Sequence, residues 1–235
     1  MPSKTSELAI AGFYDGIYLF YETANSLLTF GLDSYWRARA SAMAKDSAPG
    51  AAAALDVACG TGDFLRALRG AFGPGLKLAG ADLSAAMLSA AKDKTPDAAF
   101  VPAEAKELPF PDGSFDLVTL SFAARNLNLD REKMLAALRE FRRVLKPGGT
   151  FLNLETTRPP NPALRLLMAL YVKSAIGTLN LLSPKSRPQY SFLKNTILTF
   201  YGAKEFSELL SEAGLTDSSY KILCPGAVAV HTARK

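Results

Sequence analysis

From Ala52 onward the chain alternates between short apolar runs and longer stretches with helical spacing. AALDVA, LKLAGAD, AAFVPAE, SFDLVTLSF and TFLNLET have strand length, while DFLRALRGAF, SAAMLSAAKD and REKMLAALREFRRVL place apolar residues three and four apart. Strands alternating with helices of this length predict βαβ units and a mostly parallel sheet covered on both faces, so the expected class is α/β and Rossmann-like. KEFSELLSEAGL predicts a further helix, and SYKILCPGAVAVHTARK reads as two strands around Pro225-Gly226, an antiparallel hairpin that closes the sheet. Ahead of this core, GFYDGIYLFYETANSLLTFGLDSYWRARASAMA has helical spacing with Gly31 as a stop between two helices. The expected organisation is one domain in four parts: a helical arm or lid over 1–45, a core over 52–155, an inserted flap over 156–202, and a closing helix and hairpin over 203–235.

Composition narrows the function classes. With 235 residues, 49% hydrophobic and 21% charged, the chain has material for one medium globular core, which excludes disordered and fibrous classes. The longest uninterrupted apolar runs, such as Leu166 to Val172, fall short of the roughly 18 residues of a membrane span, so no bilayer crossing is expected. MPSKTSELAI lacks the pattern of a secretory signal, which makes the cytoplasm the expected location. Two cysteines, Cys59 and Cys224, and a single histidine supply neither a disulfide framework nor a structural zinc site, so no metal is expected.

The net charge of +5 is unevenly placed. Residues 1–155 are nearly balanced, whereas no acidic residue occurs between Glu155 and Glu205, an interval holding Arg158, Arg165, Lys173, Lys185, Arg187, Lys194 and Lys204 among LLMALYV, IGTLNLL and YSFL. A basic, apolar segment of this kind fits a surface resting on anionic lipid. The competing reading is a buried helix with a solvated basic face.

The most informative stretch is LDVACGTGDF, where an apolar strand enters Gly60-Thr61-Gly62 and then a helix. Glycines let the backbone turn sharply and let a ligand approach main-chain amides at a helix N-terminus. The loop has neither the third glycine of a dinucleotide fingerprint nor the lysine of a P-loop. Asp82 ends the second strand, where a carboxylate can accept from a ribose hydroxyl pair; its alternative role is to cap the helix that begins near Ser84. Asp56, on the first strand, suits the ammonium of a zwitterionic amino acid better than a pyrophosphate. Together these features point to S-adenosyl-L-methionine as the cofactor.

LDVACGTGDF, ADLSAAML, LPFPDGSFDLVTLSFAARN and RVLKPGG resemble the class I S-adenosylmethionine-dependent methyltransferases, whose fold is a seven-stranded Rossmann-like sheet. More narrowly, YETANSLLTFGLDSYWR, the RN of SFAARN, LETTRPPNP with LYVK, YSFL and the terminal GAVAVH resemble the ubiquinone/menaquinone biosynthesis C-methyltransferase family, closer to the demethylmenaquinone branch. That resemblance implies methylation of a ring carbon of a prenylated quinol, most directly demethylmenaquinol. Carried over by position, it implies that Asp56, Gly60, Thr61, Gly62, Asp82, Leu83, Glu104, Ala105 and Ser121 bind the cofactor. Arg125 and Asn126 would stabilise a developing oxyanion and orient the ring, with Tyr21 donating to a quinol oxygen. Asn25, Tyr171, Tyr190 and His231 would line the substrate site. The chain departs from the family pattern at Glu104 (usually Asp or Asn), Lys106 (usually Glu), Asn195-Thr196 (usually Glu-Ser) and Tyr201 (usually Pro).

Each of these residues also has a plainer reading. Arg125 can be a loop arginine paired with a surface carboxylate, and Asn126 a turn residue. Tyr21 can be packing alone. His231 lies in an alternating strand, where a half-buried, hydrogen-bonded histidine is the commoner outcome. Cys59 reads as a small residue in a tight loop, since a sulfonium electrophile needs no covalent catalysis. An enzyme handling a prenylated quinol would take it from the inner membrane face through the flap, which is compatible both with peripheral contact with an anionic membrane and with a homodimer. The rival functions are a methyltransferase for another small aromatic or natural-product substrate, kept open by Asn195, Thr196 and Tyr201, and a non-catalytic cofactor-binding subunit of a quinone-biosynthesis assembly. A nucleic-acid methyltransferase ranks last, because the chain has no added recognition domain and carries SFAARN where such enzymes carry an NPPY-type motif; no nucleic-acid partner is expected.

Overall fold

The computed structural model describes residues 28–128 and 130–235. Its centre is a seven-stranded sheet of β1 (Ala53–Val57), β2 (Lys77–Asp82), β3 (Ala99–Pro102), β4 (Phe115–Ser121), β5 (Leu145–Thr156), β6 (Thr216–Cys224) and β7 (Val228–Arg234), in the order β3-β2-β1-β4-β5-β7-β6. The first five strands are parallel and β7 runs antiparallel to both β5 and β6. The expected α/β class and closing hairpin are therefore present.

The sheet is apolar on both faces because each face is covered by helices. On β4, Leu117 belongs to a cluster with Trp36, Phe64 and Leu65, while Val118 and Leu120 belong to one with Leu138, Phe141 and Phe206. The first cluster draws on α1 (Leu32–Ser47), α2 (Asp63–Phe72) and α3 (Ala85–Lys94). The second draws on α5 (Arg131–Val144) and α8 (Ala203–Glu212); α4 (Ala124–Leu127) is a single turn directly after β4. Gly31, expected to separate two helices, precedes α1 with φ of 72°. The Pro147-Gly148-Gly149 stretch after α5 lies within a strand and is not a loop between two elements. α5 ends at Val144 and β5 starts at the next residue, with the register jumping from Phe115↔Leu145 to Leu117↔Thr150, so Lys146–Gly149 bulge out of the ladder.

The flap consists of α6 (Pro162–Leu182), a 3₁₀ turn (Pro184–Ser186) and α7 (Arg187–Thr199). Asn161 caps α6, its Oδ1 accepting from the amide of Ala163 at 2.8 Å, and Pro162 fits the first turn, where its missing N–H is no loss. Val172, Ile176 and Leu179, spaced along one face of α6, are buried against Tyr190 and Ile197 of α7. The opposite face carries Leu166, Leu170 and Leu181 at 62%, 56% and 77% exposure. This outcome corrects the buried-helix reading of the segment. It also qualifies the expectation drawn from uninterrupted apolar runs, since Pro162–Leu181 is one helix long and apolar enough to cross a membrane by length and composition alone. Arg165 and Lys173 interrupt the apolar run without ending the helix.

Both ends of the flap meet at one point. The amide of Arg158 donates to the carbonyl of Tyr201 at 3.1 Å, and the Arg158 guanidinium grips Glu205 at 2.5 and 2.6 Å.

Candidate functional site

The carboxyl ends of β1, β2 and β4 open at the point where strand order reverses, the usual crevice of an open α/β sheet. The β1 strand runs into the glycine loop, where Ala58 and Gly60 have φ of 49° and 53°. Among the described residues, a Cβ on Gly60 would meet nothing within 4 Å, so with respect to them the loop borders open space. Gly62 is held by a different constraint: a Cβ there would lie 3.0 Å from Ala91, so the small residue lets α2 approach α3. Gly80 likewise gives room to Cys59, whose sulfur lies 2.9 Å from the place a Cβ would occupy. Burial pushes the Cys59 thiol well above its ordinary pKa, in keeping with a packing role.

Asp82 organises the loop. Its Oδ2 accepts from the amide of Gly60 at 2.8 Å and its Oδ1 from the amide of Ser84 at 2.9 Å. The cap of α3 is Ser84, which accepts from Met87, so the capping role is not Asp82's. A carboxylate at this strand end is also the kind of acceptor a ribose diol needs. Asp56 is fully buried beneath the loop, accepting from Thr119 Oγ1 at 2.7 Å, and burial lifts its pKa to about 7 against the pull of Thr119 and Arg37. Thr61 is buried and its hydroxyl accepts from Lys94, which also pairs with Asp63 at 2.8 Å. Leu83 is exposed at the rim. The departures at Glu104 and Lys106 offset each other, for the two side chains form an ion pair at 3.0 Å beside Ala105. Ser121 Oγ is buried with no hydrogen-bond partner among the described residues. An orphaned hydroxyl at the end of β4 and open space over Gly60 are what a bound amino-acid end would fill, so these residues fit the cofactor.

Beyond Ser121 the chain makes an unusual turn. Phe122 has φ of 54°, a left-handed conformation that is costly for an aromatic residue. Its amide donates to Leu154 O at 2.7 Å, and its ring lies against Trp36 and beneath the Arg37 guanidinium, 5.4 Å from the centroid. Arg125 follows in α4, buried, with Nη1 donating to Phe122 O at 2.8 Å and to Glu155 Oε1 at 2.7 Å. Its partner is thus a buried carboxylate, a correction to the surface pairing considered from sequence. Asn126 is half-buried on the same turn, its amide donating to Ala123 O at 2.9 Å.

The remaining expected residues are dispersed. Tyr171 in α6 stacks on Phe30 at 5.3 Å and donates to Leu28 O at 2.9 Å, and Tyr190 is buried between α6 and α7. His231 is sealed beneath α8, with Nε2 against Ala203 O at 2.9 Å and Phe206 across its ring, and burial lowers its pKa to about 4. This is the hydrogen-bonded core histidine of the plainer reading, more deeply buried than expected. Tyr21 and Asn25 lie outside the described residues. The residues missed from sequence are Glu155, Thr119, Arg37 and Phe122. Only Glu155 carried a signal, a charge closing an apolar strand.

Tyr201 ties the flap to this turn: its hydroxyl donates to Asn128 Oδ1 at 3.0 Å. It also lines a surface cleft with Arg131 and Arg158, each already paired with a glutamate. Tyr201→Phe removes one hydrogen bond worth about 1 kcal/mol, and we expect it to raise the KM for the acceptor substrate about fivefold while leaving the cofactor Kd unchanged. Steady-state kinetics with calorimetric cofactor titration check this; a weakened cofactor Kd would show that the bond supports the loop instead.

A model of the ubiE/COQ5 methyltransferase family matches residues 3–235. The chain is 36% identical over 235 residues to demethylmenaquinone methyltransferase of Bacillus licheniformis, covering 99% of both chains. Among solved structures, a SAM-dependent methyltransferase of Thermotoga maritima superposes with a TM-score of 0.61 at 18% identity over 95% of this chain and 99% of its own. Human N-acetylserotonin methyltransferase in complex with SAM superposes with a TM-score of 0.60 at 21% identity, over 92% of this chain and 57% of its own.

Proposed function

Because the chain belongs to the ubiE/COQ5 methyltransferase family, we propose that it transfers the methyl group of S-adenosyl-L-methionine to a ring carbon of a prenylated quinol, demethylmenaquinol first among them. The observation that supports this reading is the closeness along the chain of the two kinds of group the reaction needs: the orphaned Ser121 hydroxyl ends β4, and the buried Arg125 follows four residues later in α4. Asp82 and the Gly60 loop hold the ribose and amino-acid ends of the cofactor, with Asp56 beneath them. When bound, the cofactor supplies an electrophilic sulfonium methyl. The chain's own contribution is alignment and electrostatics. Arg125 stabilises the quinol oxygen as it becomes an oxyanion, Asn126 orients the ring, and α1 covers the turn through Trp36 and Arg37. The ring carbon would gain the methyl as the methyl–sulfur bond breaks and the neutral thioether leaves, and the proton lost from that carbon would pass to solvent as the ring regains aromaticity.

The test is anaerobic methyl transfer from labelled cofactor to chemically reduced demethylmenaquinone, with a benzoquinol and a tail-less naphthoquinol in parallel and Asp82→Asn as control. Turnover of the naphthoquinol, abolished in the control together with cofactor binding, is expected. Cofactor binding without turnover of any quinol refutes the substrate and favours another aromatic acceptor.

The flap supports a location for the reaction. The outer stripe of α6, with Leu166, Leu170 and Leu181 flanking Lys173, rests on an anionic bilayer, its basic charges meeting lipid headgroups. Burying a leucine side chain is worth roughly 1.5–3 kcal/mol. Leu166→Ser with Leu170→Ser therefore reduces co-sedimentation with anionic vesicles at least about tenfold. Equal binding to neutral and anionic vesicles defeats the proposal; an unchanged vesicle affinity with a dimer-to-monomer change in sedimentation assigns the stripe to a homodimer instead.

A further inference from the structure

The least exposed ion pair among the described residues joins Arg125 to Glu155, with side chains 3% and 0% exposed. The Glu155 carboxylate receives four donors. Oε1 accepts from Arg125 Nη1 at 2.7 Å, the amide of Thr156 at 2.8 Å and the Thr156 hydroxyl at 2.9 Å, while Oε2 accepts from the amide of Arg125 at 3.2 Å. Each of these four contacts is a donor that a carboxylate oxygen can accept, so the group is held from several directions at once. Withdrawing two charges from water is costly, so a buried pair is a poor device for stability alone.

Its position suggests another use. α4 has four residues and no side-chain cap, too short to hold its own conformation, and it follows the strained Phe122. Two consecutive residues of β5 secure both ends of this turn: Leu154 takes the amide of Phe122, and Glu155 takes the amide and guanidinium of Arg125. Arg125 in turn ties Phe122 O. The turn is thereby fixed to the central sheet before any ligand arrives.

We propose that Glu155 is a positioning residue for the methyl transfer: its carboxylate clamps the main chain and the guanidinium of Arg125, presetting the direction from which the arginine meets the quinol oxygen. The inference rests on the reading that the Arg125-Asn126 turn faces the quinol. Because the pair is neutral as a unit, stabilisation of the oxyanion depends on the guanidinium's orientation, and a displaced arginine would lose its effect even with its charge intact.

The experiment compares the full chain with Glu155→Gln, which keeps the shape and removes the charge, and Glu155→Asp, which keeps the charge and withdraws it by one methylene. Three measurements are made: cofactor Kd, quinol kcat and KM, and amide hydrogen exchange over residues 122–127. For Glu155→Gln we expect a folded protein with cofactor Kd within about twofold of the parent, kcat lowered about 100-fold at nearly constant KM, and at least tenfold faster exchange confined to the turn. Glu155→Asp falls between the two. In an Arg125→Lys background the same Gln substitution costs much less than 100-fold, because both changes disturb one interaction. Parent-like kcat in a folded Glu155→Gln, or in Glu155→Asp should the first fail to fold, overturns the inference, as does a double variant in which the losses multiply. If the parent methylates no quinol, the quinol reading fails while exchange still decides the clamp: unchanged protection of 122–127 in the variants overturns it.

Discussion

Replacing Arg125 with alanine lowers the unfolding free energy by about 3–5 kcal/mol, a large share of the about 5–15 kcal/mol that holds a typical domain together. The cause is the carboxylate left behind. Glu155 is inaccessible to water and would keep only Thr156 and one main-chain amide as donors. Adding Glu155→Gln to Arg125→Ala removes the stranded charge, and the double variant regains at least half of the lost stability while remaining inactive. Urea unfolding followed by circular dichroism measures all four proteins. An Arg125→Ala protein within about 1 kcal/mol of the parent would mean that solvent reaches Glu155. Kinetic studies of Arg125 therefore need the folded fraction alongside kcat, and Arg125→Lys is the gentler probe.

Cofactor affinity is expected to fall steeply on the acid side of neutrality. Asp56 is raised to about 7, chiefly by burial, with the nearby Asp82 charge adding to the effect. The sign follows from its charge states. Below pH 7 the carboxyl is protonated and neutral, and the ammonium end of a cationic cofactor loses its counter-charge; above pH 7 it is ionised and attractive. Binding a cation lowers the carboxyl's pKa, so in the acid range binding releases a proton and affinity drops by up to about tenfold per pH unit below 7. Titration calorimetry at pH 6 in buffers of different ionisation enthalpy reads the released proton directly. Asp56→Asn binds more weakly at pH 8 and shows a flat profile between pH 6 and 8. A parent profile that is already flat would disconnect Asp56 from the cofactor.

Stability responds to Asp56 in the opposite direction. A carboxyl whose folded pKa lies above its unfolded value favours the fold at low pH and loses that contribution as pH rises through 7. In the unliganded protein, Asp56→Asn is accordingly more stabilising at pH 8 than at pH 5.

The sheet was legible because both of its faces are covered, which turns each strand into a nearly continuous apolar run such as FDLVTLS. The glycine loop was legible because positive φ and close approach leave few residue choices. Partnership across strands was harder to see. Arg125 was visible as a site residue, but its partner lies thirty positions onward, where LNLET reads equally well as a strand ending in a solvated glutamate. Burial of that glutamate depends on which strands become neighbours, a property of topology rather than of local pattern. The flap shows the same limit from the other side: an apolar helix has one composition whether its leucines face a core or face outward. The ion pair between Glu104 and Lys106 makes a related point, since each residue by itself is a departure and only together do they restore a local balance.

The strand order also imposes a schedule on synthesis. β7 sits between β5 and β6 yet is made after both, and Lys235 then fastens it by donating from Nζ to Arg143 O and Leu145 O. Until residues 228–234 leave the ribosome, β6 has no neighbour and the side of β5 that will receive β7 is an open edge, the kind of surface that recruits foreign strands. The nascent chain is thus exposed to aggregation until β7 becomes available, and a ribosome stalled over the hairpin would release a product whose cofactor crevice is largely complete but whose sheet has not been sealed.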